Sequence, residues 1–169
     1  MVHADYANIT AASRAEALES VVESYKALAE DTEFYVANLA NASSLLWHAY
    51  HSLGVKVNWA GFYITRDADT LYLGPFQGKV ACQVIKFGVG VCGTAASTQT
   101  TQLVPNVHEF PGHIACDSET NSEIVVPVVV DGKTVAVLDI DCETLEGFTE
   151  EDQKWLEQLA AAIATSCKF

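Results

Sequence analysis

The chain has 169 residues, of which half are apolar and 18% are charged, a composition typical of one compact globular domain. Its formal net charge of -13 repels nucleic acid and anionic membrane surfaces, so we expect neither as a partner. Five cysteines, an odd number in a chain of this length, predict free or catalytic thiols rather than a disulfide framework. The N-terminus lacks a secretory signal and no apolar run could span a bilayer, which predicts a cytoplasmic protein, with the nucleus as a further compartment.

Two amphipathic helices are predicted before the first strand. Apolar residues recur at three- and four-residue intervals from Ser13 to about Asp31 and again from about Phe34 to Leu53. Ser13 and Glu16 have the spacing of a capping box. Gly54 stands where a glycine would end the second helix.

The middle of the chain changes to the pattern of β-strands. Val55 to Thr65 and Thr70 to Phe76 predict a hairpin, and Gln83 to Phe87 a further short strand. A glycine-dense loop over residues 88–93 should then lead into a short helix near residues 94–97. Residues 105–121 have no periodicity, and a loop of this length in a compact domain is usually functional.

The last third of the chain predicts a second hairpin and a closing helix. Ile124 to Val130 and Thr134 to Asp141 are separated by an Asp-Gly-Lys turn, and a helix capped by Thr149 should run to about residue 167. Residues 1–169 therefore read as one α+β domain, with a central antiparallel β-sheet against which the N-terminal and C-terminal helices pack.

Three acids are predicted to lie close together. Asp139 and Asp141 alternate with apolar residues, so both side chains project from the same face of their strand. Glu123 should lie near them if its strand pairs with theirs. Because an unpaired buried carboxylate is costly, such a cluster must hold a proton or bind a ligand. The alternative is that the strand ends in solvent and the acids are simply hydrated.

Three cysteines are candidates for redox chemistry. Cys82, Cys92 and Cys116 each lie beside a small residue in or near a predicted loop, where thiols can move and meet. Buried, inert packing is the alternative for each of them. Cys142 and Cys167 end a core strand and the last helix, where we expect a cysteine to act as an apolar filler.

Ligand-binding patterns are otherwise weak. Trp59 and Tyr63 lie on one face of a strand and could form an aromatic wall, although core packing is the commoner arrangement. His108, His113 and Cys116 share one loop, but their spacing matches no zinc motif, so no metal is expected. The glycine pattern at residues 88–93 lacks a βαβ unit, which argues against a dinucleotide site.

Several short blocks of the sequence are distinctive, and they occur in a fixed order. They are Asn58–Tyr63 (NWAGFY), Leu73–Lys79 (LGPFQGK), Gly90–Ala95 (GVCGTA), Gly112–Asp117 (GHIACD), Ser122–Val125 (SEIV) and Leu138–Asp141 (LDID). Together they resemble the free methionine-(R)-sulfoxide reductases, and the pattern of Cys82, Cys92 and Cys116 is most similar to that of fungal members.

This resemblance implies a GAF domain that reduces free L-methionine-(R)-sulfoxide rather than protein-bound residues. It also implies thiolate attack on the sulfoxide sulfur, a sulfenic acid, an intramolecular disulfide and no bound cofactor. Thioredoxin would reduce the disulfide, with electrons from NADPH through thioredoxin reductase. Cys116 is the preferred attacking thiol, with Cys92 or Cys82 resolving, although the roles of Cys92 and Cys116 could be exchanged.

The resemblance also implies how the substrate is held. The acids would protonate the sulfoxide oxygen and bind the substrate ammonium, while Trp59 and Tyr63 enclose the methyl-sulfur end. Backbone amides near Cys92 and Cys116 would bind the substrate carboxylate. The alternative is a GAF module that senses a small ligand without catalysis, although three acids would repel a phosphate. A third interpretation is a structural unit for dimerisation. The N-terminal helices are in any case compatible with a homodimer.

Overall fold

The computed structural model describes residues 3–113 and 116–169, and confirms the predicted α+β class with one antiparallel sheet. The sheet has the strand order β3-β2-β1-β6-β5-β4. Its strands are β1 (Val57–Asp67), β2 (Thr70–Gly78), β3 (Val84–Lys86), β4 (Gln102–Val104), β5 (Ser122–Val130) and β6 (Lys133–Cys142). The helices are α1 (Arg14–Ala29), α2 (Tyr35–Ser52), α3 (Gly90–Thr98) and α4 (Glu150–Ser166), with short 3-10 turns at His3–Ala7 and Val107–Glu109.

The two faces of the sheet have different coverings. Helices α1, α2 and α4 pack over one face, which contributes alternate residues of β6, Ala136, Leu138 and Ile140, to the larger core. Val137 projects from the other face, into a smaller core beneath α3. Strand alternation thus separates a structural side of the sheet from the side that also carries Asp139.

The helix termini follow the predicted signals with one shift. The Oγ atom of Ser13 accepts from the backbone N–H of Glu16 at 3.2 Å, as a capping residue should. The Glu16 carboxylate accepts from the backbone N–H of Ala12 at 3.0 Å, one residue before the position that a capping box requires. Thr149 and Asp152 form the complete box at α4, and α2 ends just before Gly54, whose φ is +72°.

Helix α3 begins earlier than the sequence predicts, at Gly90 instead of near Thr94. A Cβ atom on Gly93 would lie 2.3 Å from the carbonyl oxygen of Lys86, so only glycine allows this close packing of helix against strand. The backbone N–H of Gly88 donates to the carbonyl of Gly93 at 2.7 Å. Cys92 consequently lies in the first turn of a helix and is buried, rather than in a mobile loop.

A buried polar network joins the helices on the structural side. Asp152 is fully buried, and its carboxylate accepts from the guanidinium of Arg14 at 2.8 Å and from the hydroxyl of Tyr50 at 2.9 Å. These contacts connect α4 to α1 and α2, away from the smaller core. Within the described ranges, no helix has the length and apolar character needed to cross a membrane.

Candidate active site

A cavity lies on the side of the sheet that α3 covers. Its lining brings together seven of the eight predicted site residues: Trp59, Tyr63, Cys92, Cys116, Glu123, Asp139 and Asp141. The eighth, Cys82, is bonded to Cys116. Residues far apart in the sequence meet here because β1, β5 and β6 are neighbours in the sheet.

The register of the strands gathers the three acids. Glu123 pairs directly with Asp141 across β5 and β6, and Asp139 lies two residues further along the same face. Glu123 and Asp139 are each only 6% exposed, so the alternative of a strand end hydrated by solvent is wrong for Asp139, and Asp141 is half-buried. The Oδ1 atom of Asp139 has no hydrogen-bond partner among the residues that the structure describes. A buried carboxylate oxygen without a hydrogen-bond partner is suited to bind a proton or to accept a hydrogen bond from a ligand.

The acids retain protons more strongly than ordinary carboxyl groups. Burial raises the pKa of Glu123 well above its usual range, and the nearby charges of Asp139 and Asp141 raise it further. Burial and the charge of Asp139 likewise raise the pKa of Asp141. Burial raises the pKa of Asp139 to about 6. The cluster can therefore hold both a proton and a negative charge near neutral pH.

Cys92 faces the same acids. Its Sγ atom and carboxylate oxygens of Glu123 and Asp139 all lie within 4.8 Å of one another, and this set of donors could hold a metal ion or another cation. Burial raises the pKa of the Cys92 thiol well above its ordinary value, with the charges of Asp139 and Glu123 adding to the effect. Because the thiolate is the nucleophilic form, Cys92 is a weak nucleophile in this environment.

A disulfide joins Cys82 to Cys116, which is 34 residues later in the chain. The Cα atoms of the pair are 5.9 Å apart. This bond connects the segment between β2 and β3 to the long loop before β5. Cys92 is a buried free thiol, and Cys142 and Cys167 are also free. Cys142 is buried in the larger core, and the Sγ atom of Cys167 lies 3.4 Å from the hydroxyl of Tyr25.

An aromatic wall forms one side of the cavity. The Trp59 ring stacks on Tyr63 at 5.7 Å and on Phe76 at 5.2 Å between centroids. Gly61 makes this possible, because a Cβ atom there would lie 2.3 Å from the Cβ of Phe76 and 2.8 Å from the Trp59 ring. Trp59 is 5% exposed, and its Nε1 has no acceptor within the described part of the chain.

Two side chains that the sequence analysis did not single out hold the loop that follows Cys116. Asn58 donates from Nδ2 to the Asp117 carboxylate at 3.3 Å and to the Thr120 hydroxyl at 3.0 Å. The ammonium of Lys79 lies 3.7 Å from the Asp117 carboxylate and pairs closely with Glu119. In the sequence, the only indication that Asn58 and Lys79 matter is that they belong to the distinctive blocks Asn58–Tyr63 and Leu73–Lys79.

The two histidines near Cys116 have partners other than Cys116. His113 Nε2 lies 3.8 Å from the Glu123 carboxylate, whereas His108 Nε2 pairs with the side-chain oxygen of Asn121 at 2.8 Å. Burial, and secondarily the charge of His108, lowers the pKa of His113, so its imidazole is neutral near pH 7. Ile114 and Ala115, whose amides belong to the expected carboxylate-binding loop, lie outside the described residues.

Comparison with known proteins places this geometry among related chains. The GAF domain model matches residues 39–167. Free methionine-R-sulfoxide reductase of Saccharomyces cerevisiae is 57% identical to the chain, covering 99% of it and 95% of the relative. The Escherichia coli protein of the same name is 48% identical, covering 82% and 81% of the two chains. The structure of free methionine-R-sulfoxide reductase from Neisseria meningitidis in complex with its substrate has a TM-score of 0.86 at 39% identity, covering 94% and 92%.

Proposed function

Because the chain belongs to the GAF-domain family of free methionine-R-sulfoxide reductases, we propose that its cavity of acids and thiols reduces free L-methionine-(R)-sulfoxide to methionine. It is an oxidoreductase that acts on a sulfur group. The observation that carries this conclusion is the Cys82–Cys116 disulfide, because Cys116 also lines the cavity that holds Glu123, Asp139 and Asp141. Reduction of a sulfoxide needs an attacking thiol, a nearby acid and a second thiol that forms a disulfide with the first, and this cavity provides all three.

The Cys116 thiolate attacks the sulfoxide sulfur in the proposed reaction. Two observations favour Cys116 over Cys92: Cys116 is exposed, and Cys92 is buried with a pKa raised by burial. The oxygen passes to Cys116 as a sulfenic acid, and methionine is released. Cys82 then attacks the Cys116 sulfur, forms the disulfide and expels hydroxide, which leaves as water after taking a proton. The substrate is reduced by two electrons and the two thiols are oxidised by two.

The acid cluster divides two tasks between its members. A sulfoxide oxygen needs a proton to leave, and Glu123 and Asp141 are the candidates because burial raises the pKa of each. Asp139, with a pKa of about 6, carries most of the negative charge at neutral pH and can bind the substrate ammonium. The Cys92 thiol lies among these groups and completes the polar end of the cavity.

The remaining contacts explain why a free amino acid fits better than a peptide. Trp59 and Tyr63 supply an apolar wall for the methyl-sulfur end. The Nε1–H of Trp59, for which the described residues supply no acceptor, is a donor for a ligand oxygen. Backbone amides near Cys92 and Cys116 bind the substrate carboxylate. A cavity that recognises both the ammonium and the carboxylate excludes a residue whose main chain continues in both directions.

We propose thioredoxin as the external reductant, with electrons from NADPH through thioredoxin reductase, and a reaction that needs no bound cofactor. We further propose that residues 1–169 form one domain, that two copies associate as a homodimer, and that the protein works in the cytoplasm and the nucleus. The packing of α1 against α2 and α4 supports the single domain.

The test is turnover of three substrates with dithiothreitol as reductant: free L-methionine-(R)-sulfoxide, its S epimer and a blocked peptide that contains the sulfoxide. Only the free R epimer should be reduced. Cys116→Ser should abolish methionine formation even in a single turnover, whereas Cys167→Ser, a thiol outside the cavity, should retain the wild-type rate.

Absence of turnover with every epimer, with the thiols reduced, would contradict the reductase and leave a small-ligand sensor. Loss of the first turnover in Cys92→Ser but not in Cys116→Ser would exchange the two roles.

A further inference from the structure

Three buried donor atoms of different chemistry meet on one wall of the cavity. The Sγ atom of Cys92 and one carboxylate oxygen each of Glu123 and Asp139 lie within 4.8 Å of one another. All three residues line the cavity and are almost fully buried. We call them the thiol–carboxylate cluster. The proposed reaction uses the acids of this cluster but gives the Cys92 sulfur no chemical step.

The mixture of donors selects the class of cation that the cluster can bind. Zinc binds thiolate sulfur at about 2.3 Å and carboxylate oxygen at about 2.1 Å, so neighbouring ligands of a tetrahedral zinc ion lie about 3.5 Å apart. Donor atoms that lie within 4.8 Å of one another need to move by only about 1 Å to reach this spacing. Calcium and magnesium prefer ligand sets made of oxygen alone, so the sulfur of Cys92 favours a zinc-class ion.

The Oδ1 atom of Asp139 is an independent indication that this wall binds a ligand. It is buried and has no hydrogen-bond partner among the described residues. Lys79 is the one lysine or arginine among the described residues that line the cavity, and its ammonium pairs with Asp117 and Glu119. A cation bound at Asp139 would offset the cost of burying its carboxylate.

His113 offers a further donor beside the cluster. Its Nε2 atom lies 3.8 Å from a carboxylate oxygen of Glu123, and the residue also lines the cavity. Thiolate, imidazole and carboxylate are the ligand types that zinc takes in proteins. This donor set differs from the one weighed in the sequence, because Cys92 and two acids replace His108 and Cys116.

We propose that the thiol–carboxylate cluster, with His113 as a further ligand, binds a divalent cation of the zinc class and that the bound ion blocks the reductase. The blocking rests on the proposed function, because the ion takes the Asp139 carboxylate that would bind the substrate ammonium. The ion binds Cys92 as the thiolate, and the thiol proton passes to solvent. The net charge of -13 attracts cations to the chain.

A cobalt titration of the oxidised enzyme tests the site without any turnover. Co²⁺ replaces Zn²⁺ in such sites, and a thiolate ligand gives it an intense charge-transfer absorption in the near ultraviolet. With Cys82 and Cys116 joined, the thiols that remain are Cys92, Cys142 and Cys167. One equivalent of Co²⁺, in the absence of thiol reductants, should produce the absorption in wild type, and Zn²⁺ should remove it by displacement.

Three variants locate the ligands. Cys92→Ser should lose the absorption. Asp139→Asn should keep it but bind Zn²⁺ about tenfold or more weakly, the loss that even a supporting residue of a metal site causes. Cys167→Ser, which removes a thiol outside the cavity, is the matched control and should change neither value. Absorption that persists in Cys92→Ser, or an unchanged Zn²⁺ affinity in Asp139→Asn, would overturn the proposal.

A single-turnover assay measures the blocking. Reduced wild-type enzyme, freed of reductant, is mixed with methionine sulfoxide at free Zn²⁺ concentrations fixed by a chelator. Methionine formation should fall with Zn²⁺, and more sulfoxide should restore it because both compete for Asp139. Inhibition that does not depend on the sulfoxide concentration would overturn the blocking. Failure to form methionine without Zn²⁺ would contradict the proposed function alone, because the cobalt titration still reports the site.

Discussion

Glu123 and Asp141 pair directly across β5 and β6, and Trp59 pairs with Asp141 from the other side, on β1. Three neighbouring strands thus deliver an acid, a second acid and an indole to one cavity. The same register lowers the free energy of unfolding, because it buries carboxyl groups close together. Function and stability should therefore oppose each other at this site.

Asp139→Asn tests that opposition. Burial raises the pKa of Asp139 to about 6, so the native protein binds its proton more tightly than the unfolded chain does. The group therefore stabilises the fold at low pH, and this stabilisation is lost as the pH rises through about 6. The free energy of unfolding of Asp139→Asn should exceed that of wild type at pH 7.5. This advantage should be smaller at pH 5 by about 1 to 2 kcal/mol.

Urea denaturation at pH 5 and pH 7.5 measures the effect, with Glu151→Gln as a control at an exposed acid. Equal differences between Asp139→Asn and wild type at the two pH values would contradict the assignment. Activity should fall in the variant, since the proposed ammonium site loses its charge.

Trp59→Phe tests the indole N–H, which has no acceptor among the residues with described positions. Phenylalanine keeps the aromatic stack with Tyr63 and Phe76 but removes the Nε1–H. If this donor binds a substrate oxygen, kcat/KM should fall about tenfold, the value of one hydrogen bond to a ligand. Steady-state kinetics with dithiothreitol measures it, and Trp155→Phe on α4 is the matched control. An unchanged kcat/KM in Trp59→Phe would assign the indole to packing alone.

Cys82→Ser should stop the enzyme after one reduction of substrate, at the sulfenic acid of Cys116. Without its partner, Cys116 can form a sulfenic acid but not the disulfide, so each chain should release about one methionine before reduction by an added thiol. Rapid-quench measurement of methionine, with dimedone labelling of Cys116, checks this. Cys92→Ser should still form the disulfide, and a similar arrest in that variant would mean that Cys92 is the resolving thiol.

Asp152→Ala should damage the scaffold and leave the chemistry intact. The substitution removes the capping partner of Thr149, leaves the Tyr50 hydroxyl without its acceptor and leaves the Arg14 guanidinium with the Gly147 carbonyl but no carboxylate. Breaking a buried pair of this kind costs about 3 to 5 kcal/mol. Urea denaturation should show this loss, against a change within about 0.5 kcal/mol for the exposed control Glu151→Ala. Because the network lies across the sheet from the cavity, kcat per folded molecule should not change.

Local chemistry accounts for the parts of the fold that the sequence predicted well. Capping residues such as Ser13 and Thr149 act within one helical turn, and Gly54 ends its helix through its own backbone. The strand period of two placed Asp139 and Asp141 on one face before any pairing was known. Each of these signals depends on residues only a few positions apart, so it can be recognised in a single sequence.

Contacts between segments that are distant in the chain account for the parts of the fold and of the site that the sequence did not predict. The early start of α3 depends on Gly93 packing against Lys86, and β4 is a three-residue strand that exists only because it pairs with β5. Asn58 and Lys79 acquire their role from a loop that is close in space and far along the chain.

The sequence by itself determined the α+β class, the shared face of the acids and, through its resemblance to one family, which three thiols to examine for redox chemistry. It left open whether Cys82 or Cys92 pairs with Cys116. Only the tertiary structure decided this, joining Cys116 to Cys82 and burying Cys92 under α3 beside Asp139. The physical reason is that a disulfide and a pKa both depend on which groups meet in space, and no local pattern records how two loops and a helix close over the same sheet.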